Sequence, residues 1–406
     1  MTNILAIETS CDETAIAVLR VSGEGLEMLT NQISSQVKLH AKWGGVVPNL
    51  AAREHLKNFP KLLEMALEEA KISPSQIDAI AITSGPGLIP ALLVGVNYAK
   101  TLSYLWEKPL IPIHHIEGHI YANFIGISNS QFLRPRRTSL GLAISKEKKE
   151  DASSSFQNSK LKIKNYDTIF PVLALVVSGG HTQLVLMKDH LQYEIIGQTV
   201  DDAVGEAFDK VARILGIGYP GGPAVARCAQ NFKFEILNDT KNTNADETKK
   251  LTPDKLTFPR PMLNKQGYNF SFSGLKTAVL YETKKHPELL EDKKYVAEIC
   301  HEFQQACLDV LIAKTIKAAQ QYKPKTILLA GGVSANKELR SQLGLAIEKF
   351  LPDVSYKIPD LSLTGDNAAM IASAAAFRWK KMNDAQKKKA LGNWKTLQPK
   401  ADLKMN

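Results

Sequence analysis

Short apolar runs alternate with longer stretches of helical periodicity along most of the chain. ILAIE opens as a strand, SCDE makes a polar turn, and TAIAVL reads as a second strand. Residues 50–71 repeat apolar positions at helical spacing, IDAIAIT at 77–83 reads as a buried strand, and the turn SGPGLIP leads into the helical ALLVGVNYAKTLSYLW. Strand, glycine turn and helix in that order predict an α/β lobe.

From about 127 to 168 the pattern dissolves into serine, lysine and asparagine, as an inserted surface loop or disordered segment would. Order returns with FPVLALVVSGGHTQLVLM, whose strand, glycine turn and strand repeat the layout of ILAIETSCDETAIAVL. The helix DDAVGEAFDKVARILG and the turn YPGGP come next, and long helices cover roughly 287–322. TILLAGGVSANKELR is again strand, turn and helix, and LTGDNAAMIASAAAF begins one more helix. The repeat predicts two related lobes. The first covers 1–112 and is completed by a returning helix at about 360–382; the second covers 113–359, with low-complexity insertions at about 127–168 and 233–256. Residues 383–406 read as a basic tail.

Composition adds a partner to this picture. The chain has 406 residues, 44% of them hydrophobic, which is ample for two cores. Its formal net charge of +10 points to a polyanion, unless the excess merely sits in disordered tracts such as RPRR, KEKK, NDTKNTNADETKK and KKMNDAQKKK. The start, MTNILAIETS, lacks the basic flank and cleavage site of a secretory signal, and the apolar runs are too short to span a membrane, so a soluble cytoplasmic protein with no membrane partner is expected. Cys11, Cys228, Cys300 and Cys307 show no CxxC spacing; Cys300 and Cys307, seven apart on a helix, suit core packing.

IHHIEGHIYA carries the sharpest chemical signal. His115 and His119 stand four apart and share a helical face, so two imidazoles can reach one ion. A metal site needs a third ligand, for which Asp366 in LTGDNAAM is the candidate; capping of its own helix is the competing role. Two histidines and one carboxylate leave positions open for substrate, which suits catalytic iron or zinc. The order is wrong for a zinc protease. HExxH puts glutamate directly after the first histidine, whereas Ile116 stands there and Glu117 points off the shared face.

ETSCDET, VVSGGHT, YPGGP and AGGVSAN are turns where a ligand can approach the backbone. Each alone is weak, and neither a P-loop nor GxGxxG occurs in a strand-to-helix setting. Together, in two lobes, they resemble the layout of the sugar kinase, Hsp70 and actin superfamily, in which AGGVSAN would hold adenosine and VVSGGHT the phosphates.

With HHIEGHIYA, ETSCDETA, SGPGL, VVSGGHTQL, GEAFDK, YPGGP, FSFSGLKTA, AGGVSAN and TGDNAAMIA in this order, the chain resembles the TsaD family of tRNA threonylcarbamoyladenosine synthases over about 3–126, 170–230 and 257–380. The resemblance implies the two-lobed α/β superfamily fold with its nucleotide site between the lobes. It also implies transfer of threonylcarbamoyl from threonylcarbamoyl-AMP to the exocyclic amine of adenosine 37 in tRNAs reading ANN codons, with release of AMP. By motif matching, His115, His119 and Asp366 would hold one divalent metal ion, iron(II) ahead of zinc. Val176, Val177, Ser178, Gly179, Gly180, Asp209, Gly222 and Asn336 would hold the substrate. A paralogous partner subunit of the same fold and a small ATPase, TsaB-like and TsaE-like, are expected beside tRNA. Asn49 and Pro90 depart from the family pattern without touching the metal residues.

Adenine's amine is a poor nucleophile, and Asp12 and Glu13 are the candidate bases; capping backbone N–H groups in a polar turn is their alternative. Asp201 and Asp202 read as a helix start, and Lys276 as either a phosphate ligand or a solvated lysine. A kinase or ATPase of the same superfamily, a noncatalytic scaffold and, last, a metalloprotease are the competing readings.

Overall fold

The computed structural model describes residues 1–23, 25–125, 161–163, 170–239 and 256–405. Nearly all of the insertion at 127–168 and most of that at 233–256 lie outside them. The first lobe contains β1 (Thr2–Glu8), β2 (Glu13–Ser22), β3 (Gly25–Ser35), α1 (Val37–His40), α2 (Pro48–Ala70), β4 (Ala79–Gly85), α3 (Ile89–Trp106), β5 (Leu110–His114), α4 (His115–Tyr121) and β6 (Leu161–Ile163). The second contains β7 (Val172–Val177), β8 (Thr182–Asp189), β9 (Gln192–Gln198), α5 (Val204–Ile214), α6 (Gly221–Asp239), α7 (Ser273–Lys285), α8 (Lys293–Tyr322), β10 (Thr326–Ala330), α9 (Lys337–Phe350) and β11 (Ser355–Lys357). α10 (Ala368–Lys381), α11 (Asp384–Ala390) and α12 (Asn393–Thr396) close the chain.

Two mixed sheets result, ordered β5-β4-β1-β2-β3-β6 and β11-β10-β7-β8-β9. In both, the strand before the first polar turn runs antiparallel to the next strand and parallel to a later one: β1 against β2 and β4, β7 against β8 and β10. This is the repeat that the sequence announces.

Alternation along each strand decides how the layers stack. In β1, Ile4 and Ala6 face one core while Leu5 and Ile7 face another. In β7, Val172, Ala174 and Val176 share the core of Ile4, while Leu173, Leu175 and Val177 face the opposite way. The shared central core is therefore flanked by both sheets, and it is filled by α4 and α10. Ala368 to Ala376 of α10 are all buried, because a helix between two sheets is apolar all round. Alanines on the facing strands, such as Ala6, Ala17, Ala81 and Ala174, let the layers approach. α2 and α3 cover the outer face of the first sheet, and α5 to α9 that of the second, where Cys300 and Cys307 pack.

Residues from 383 onward depart from the expected loose tail. Asn383 and Gln386 form a capping box that starts α11. The segment then docks on the first lobe: Asn393 Nδ2 donates to Leu110 O at 2.7 Å, Lys100 Nζ donates to Leu397 O at 3.2 Å, and the Trp394 ring lies 4.7 Å from that of Tyr104. Its lysines hide the signal, since Asn393, Trp394 and Leu397, spaced among them, make these contacts. Among the described residues no helix is long and apolar enough to cross a membrane.

Candidate metal centre and catalytic cleft

β5 runs straight into α4, and His114 marks the junction by accepting a hydrogen bond from Ile116 N at 3.2 Å. One turn of helix then sets His115 and His119 edge to face, with ring centroids 4.6 Å apart. α4 presses on α10 at Gly118, where a Cβ would stand 2.7 Å from Ile371 Cδ1. That contact delivers the start of α10 to the histidines. The cap of α10 is Asn367, whose side chain accepts from Met370 N at 3.0 Å. Asp366 is thus not the cap, and its Oδ1 lies 3.5 Å from His115 Nε2 and 3.1 Å from His119 Nε2. One ligand atom from each of the three falls within 4.8 Å of the others.

The donor set fits a metal ion. His119 is fully buried, yet neither of its ring nitrogens makes a hydrogen bond, so the contact with Asp366 has the length but not the geometry of one. Orphaned buried nitrogens are costly unless something is bound there. Two imidazoles and a carboxylate are donor types that both iron(II) and zinc accept.

A residue that sequence reasoning missed orients His115. Glu8, wholly buried at the end of β1, places Oε2 3.3 Å from His115 Nδ1, and Ser10 Oγ is 3.1 Å from the same atom. Ser10 N and Thr83 Oγ1 each donate to the Glu8 carboxylate at 2.5 Å, fixing it. A carboxylate at Nδ1 holds the proton there and turns Nε2 toward Asp366. Burial alone would depress the His115 pKa, but Asp366 and Glu8 outweigh it and raise it to about 9. Burial would raise Asp366, yet His115 and His119 pull it well below the usual carboxylate range. His181 is driven down to about 4, by burial first and then by His115 and His119.

Glu117 has another task. Arg378 Nε donates to its Oε1 at 2.8 Å, and Arg378 Nη2 binds Oε2, so this buried carboxylate is consumed in an ion pair with a half-buried arginine. That removes the protease reading on geometry as well as on motif order.

The turn 178–181 faces the centre. Ser178 N donates to His181 O at 2.8 Å, Ser178 Oγ accepts from His181 N at 3.1 Å, and Gly179 and Gly180 are exposed at the tip. Val176 and Val177 bury their side chains on opposite faces of β7, leaving only backbone for a ligand. Asp209 Oδ1 accepts from Gly221 N at 2.7 Å; burial raises its pKa although that N–H pulls the other way. Gly222, the second residue of α6, has no atom within 4 Å of where a Cβ would sit. Asn336 caps α9 by accepting from Leu339 N at 3.0 Å and donates to Gln304 at 2.8 Å. Asp209 and Asn336 thus hold helix ends, which residue type alone does not reveal.

Asp12 is buried with Oδ2 lacking a hydrogen bond, while Glu13 accepts from Ser35 Oγ at 3.0 Å. Burial, then Asp12 and Asp366, hold the Glu13 pKa well above its usual range. Burial, then Asp12 and Asp209, likewise raise the Tyr219 hydroxyl, a second residue of this neighbourhood that sequence reasoning passed over. The helix-start role expected of Asp201 and Asp202 is replaced. Asp201 accepts from Phe272 N at 2.9 Å and from Ser273 Oγ at 2.7 Å, tying FSFSG and α7 to the strand end, and Asp202 pairs with Lys210 at 2.7 Å.

The family model TsaD, tRNA N6-adenosine threonylcarbamoyltransferase, matches residues 27–145 and 154–373. A Thermomicrobium roseum protein of that name is 42% identical over 92% of this chain and 91% of its own. One from Persephonella marina is 44% identical over 93% of this chain and 90% of its own. Among solved structures, full-length HypF in its phosphate- and nucleotide-bound form matches with TM-score 0.51 and 12% identity, over 93% of this chain and 46% of that one, a likeness of fold alone. The chain belongs to the TsaD family of tRNA N6-adenosine threonylcarbamoyltransferases, enzymes of tRNA modification.

Proposed function

We propose that the donor is threonylcarbamoyl-AMP, that the acceptor is N6 of adenosine 37 in tRNAs reading ANN codons, and that His115, His119 and Asp366 hold one divalent ion, iron(II) in preference to zinc. The observation that carries this reading is the convergence of those three side chains beside the Ser178–Gly180 turn. A bound ion would supply Lewis-acid polarisation of a donor oxygen.

The chain's own residues do the rest. Backbone N–H groups of Gly179 and Gly180 and the start of α6 at Gly222 suit the donor phosphate, and Asp209 and Asn336 border the space for its nucleoside. The mixed anhydride is already activated, so positioning and charge stabilisation are the main requirements. The new bond joins N6 to the carbamoyl carbon. The bond from that carbon to the phosphate oxygen breaks, AMP leaves, and one N6 proton passes to a carboxylate. Asp12, with an unbonded buried oxygen, is the stronger candidate acceptor; Glu13 shares its electrostatic neighbourhood but is held toward its protonated form. We further propose a TsaB-like subunit of the same fold and a TsaE-like ATPase as partners, acting in the cytoplasm.

The test supplies labelled threonine, a donor-forming enzyme, ANN-reading tRNA and the candidate partners. Label recovered on the anticodon-adjacent adenosine, with AMP in equal amount, is expected. ATP turnover without label in any combination would move the assignment to a kinase-like ATPase.

A further inference from the structure

A cleft of about 630 Å³ between the lobes adjoins the centre. Its walls include His114, next in sequence to His115, and His181, which lies within the electrostatic reach of His115, His119 and Asp366. Gln183 and Gln198 bring side-chain amides to it, while the amide oxygen of Asn269, also in the wall, already accepts from Gln198 N at 3.0 Å. Pro86, Ile116 and Ile195–Gly197 add apolar and backbone surface, and one further wall is the segment Ala401–Met405.

This strap is fastened in place. Lys400 N donates to Ser84 O at 2.9 Å, and Gly87 N donates to Ala401 O at 3.3 Å. His114 Nε2 lies 2.9 Å from Leu403 O. Since His114 Nδ1 already accepts from Ile116 N, Nε2 carries the proton and donates to Leu403. At Gly85 a side chain is barred, because a Cβ would stand 2.0 Å from Lys400 O.

Strand order separates the two flanks of the centre. In β11-β10-β7-β8-β9, the turn after β7 has the Gly331–Asn336 turn on one side and the β8 and β9 edge on the other. If the donor nucleotide takes the Asp209 and Asn336 flank, as proposed above, the acceptor amine must approach from the strap side. We infer that the strap Lys400–Met405 is one wall of the acceptor site and that this cleft takes an unstacked purine nucleoside from an RNA loop. Amide side chains match the paired donor and acceptor of an adenine edge. Lys388, Lys389, Lys395, Lys400 and Lys404 are exposed along the segment that leads to the strap and along the strap itself, suiting RNA phosphates, with Asp402 the acidic exception there.

The inference rests on the transfer reading, and the experiment separates their failures. In the complete transfer system, the double variant Lys400→Glu, Lys404→Glu should raise KM for tRNA about tenfold and flatten its salt dependence by about one to two units of log–log slope, with KM for the donor unchanged. A photo-crosslinking residue in place of Lys404 should capture the tRNA anticodon loop. An unchanged tRNA KM, or capture of a protein partner or of another part of the tRNA, would overturn the strap assignment while an active wild type kept the transferase. A wild type that transfers nothing would sink the transfer reading itself.

Discussion

Glu8 and His115, from the end of β1 and the start of α4, meet through a 3.3 Å contact between Oε2 and Nδ1 in a fully buried setting. The contact fixes which nitrogen of His115 faces Asp366. Glu8→Gln keeps the shape and removes the charge, so divalent-metal affinity should fall by about 10–100-fold, read by competition with a chromophoric chelator. Unchanged affinity would reduce Glu8 to a packing residue.

Arg378 and Glu117 form an ion pair, with the Glu117 side chain wholly buried. Arg378→Ala leaves the carboxylate unpaired, and a loss of about 3–5 kcal/mol in unfolding free energy is expected from urea titration. Glu117→Gln, retaining a hydrogen-bond acceptor for Arg378, should leave transfer chemistry largely intact. A transfer rate reduced a thousandfold in Glu117→Gln, with stability unchanged, would restore a catalytic role to Glu117.

Asp201 holds the start of α7 through four hydrogen bonds from Ser271, Phe272 and Ser273. Burial would raise its pKa, but these donors lower it below the ordinary value. A depressed carboxylate stabilises the fold above its unfolded pKa, and that contribution is lost as pH falls through the folded value. The stability gap between wild type and Asp201→Asn should therefore be present at pH 7 and close on acidification below about pH 4. A gap that widened toward acid would contradict the capping role.

Gly331 has φ of +87°, and a Cβ there would sit 2.4 Å from Val177 O, at the foot of the Ser178 turn. Gly331→Ala should cost more than about 1 kcal/mol and weaken AMP binding by calorimetry, since the two turns cannot both keep their places. Wild-type AMP affinity would show that the turns move independently.

The strands and glycine turns are legible because β1 and β7 alternate cleanly between two cores, and His115 with His119 is legible because helical spacing alone puts them on one face. Asp366 is only half legible: whether it or Asn367 caps α10 depends on backbone geometry that the letters TGDN do not carry. Glu8 is hidden as the last residue of an apolar strand, its partner being 107 residues away. The docked segment from 383 onward is hidden by its lysines, although Asn383 and Gln386 carry a capping signal three residues apart.

The most direct test takes Asp366→Asn beside wild type and measures bound metal by elemental analysis together with threonylcarbamoyl transfer to tRNA. One ion per wild-type chain with labelled adenosine, and loss of both in a variant that still folds and binds tRNA, is the predicted result. A metal-free variant that transferred at the wild-type rate would contradict the centre that His115, His119 and Asp366 are proposed to form.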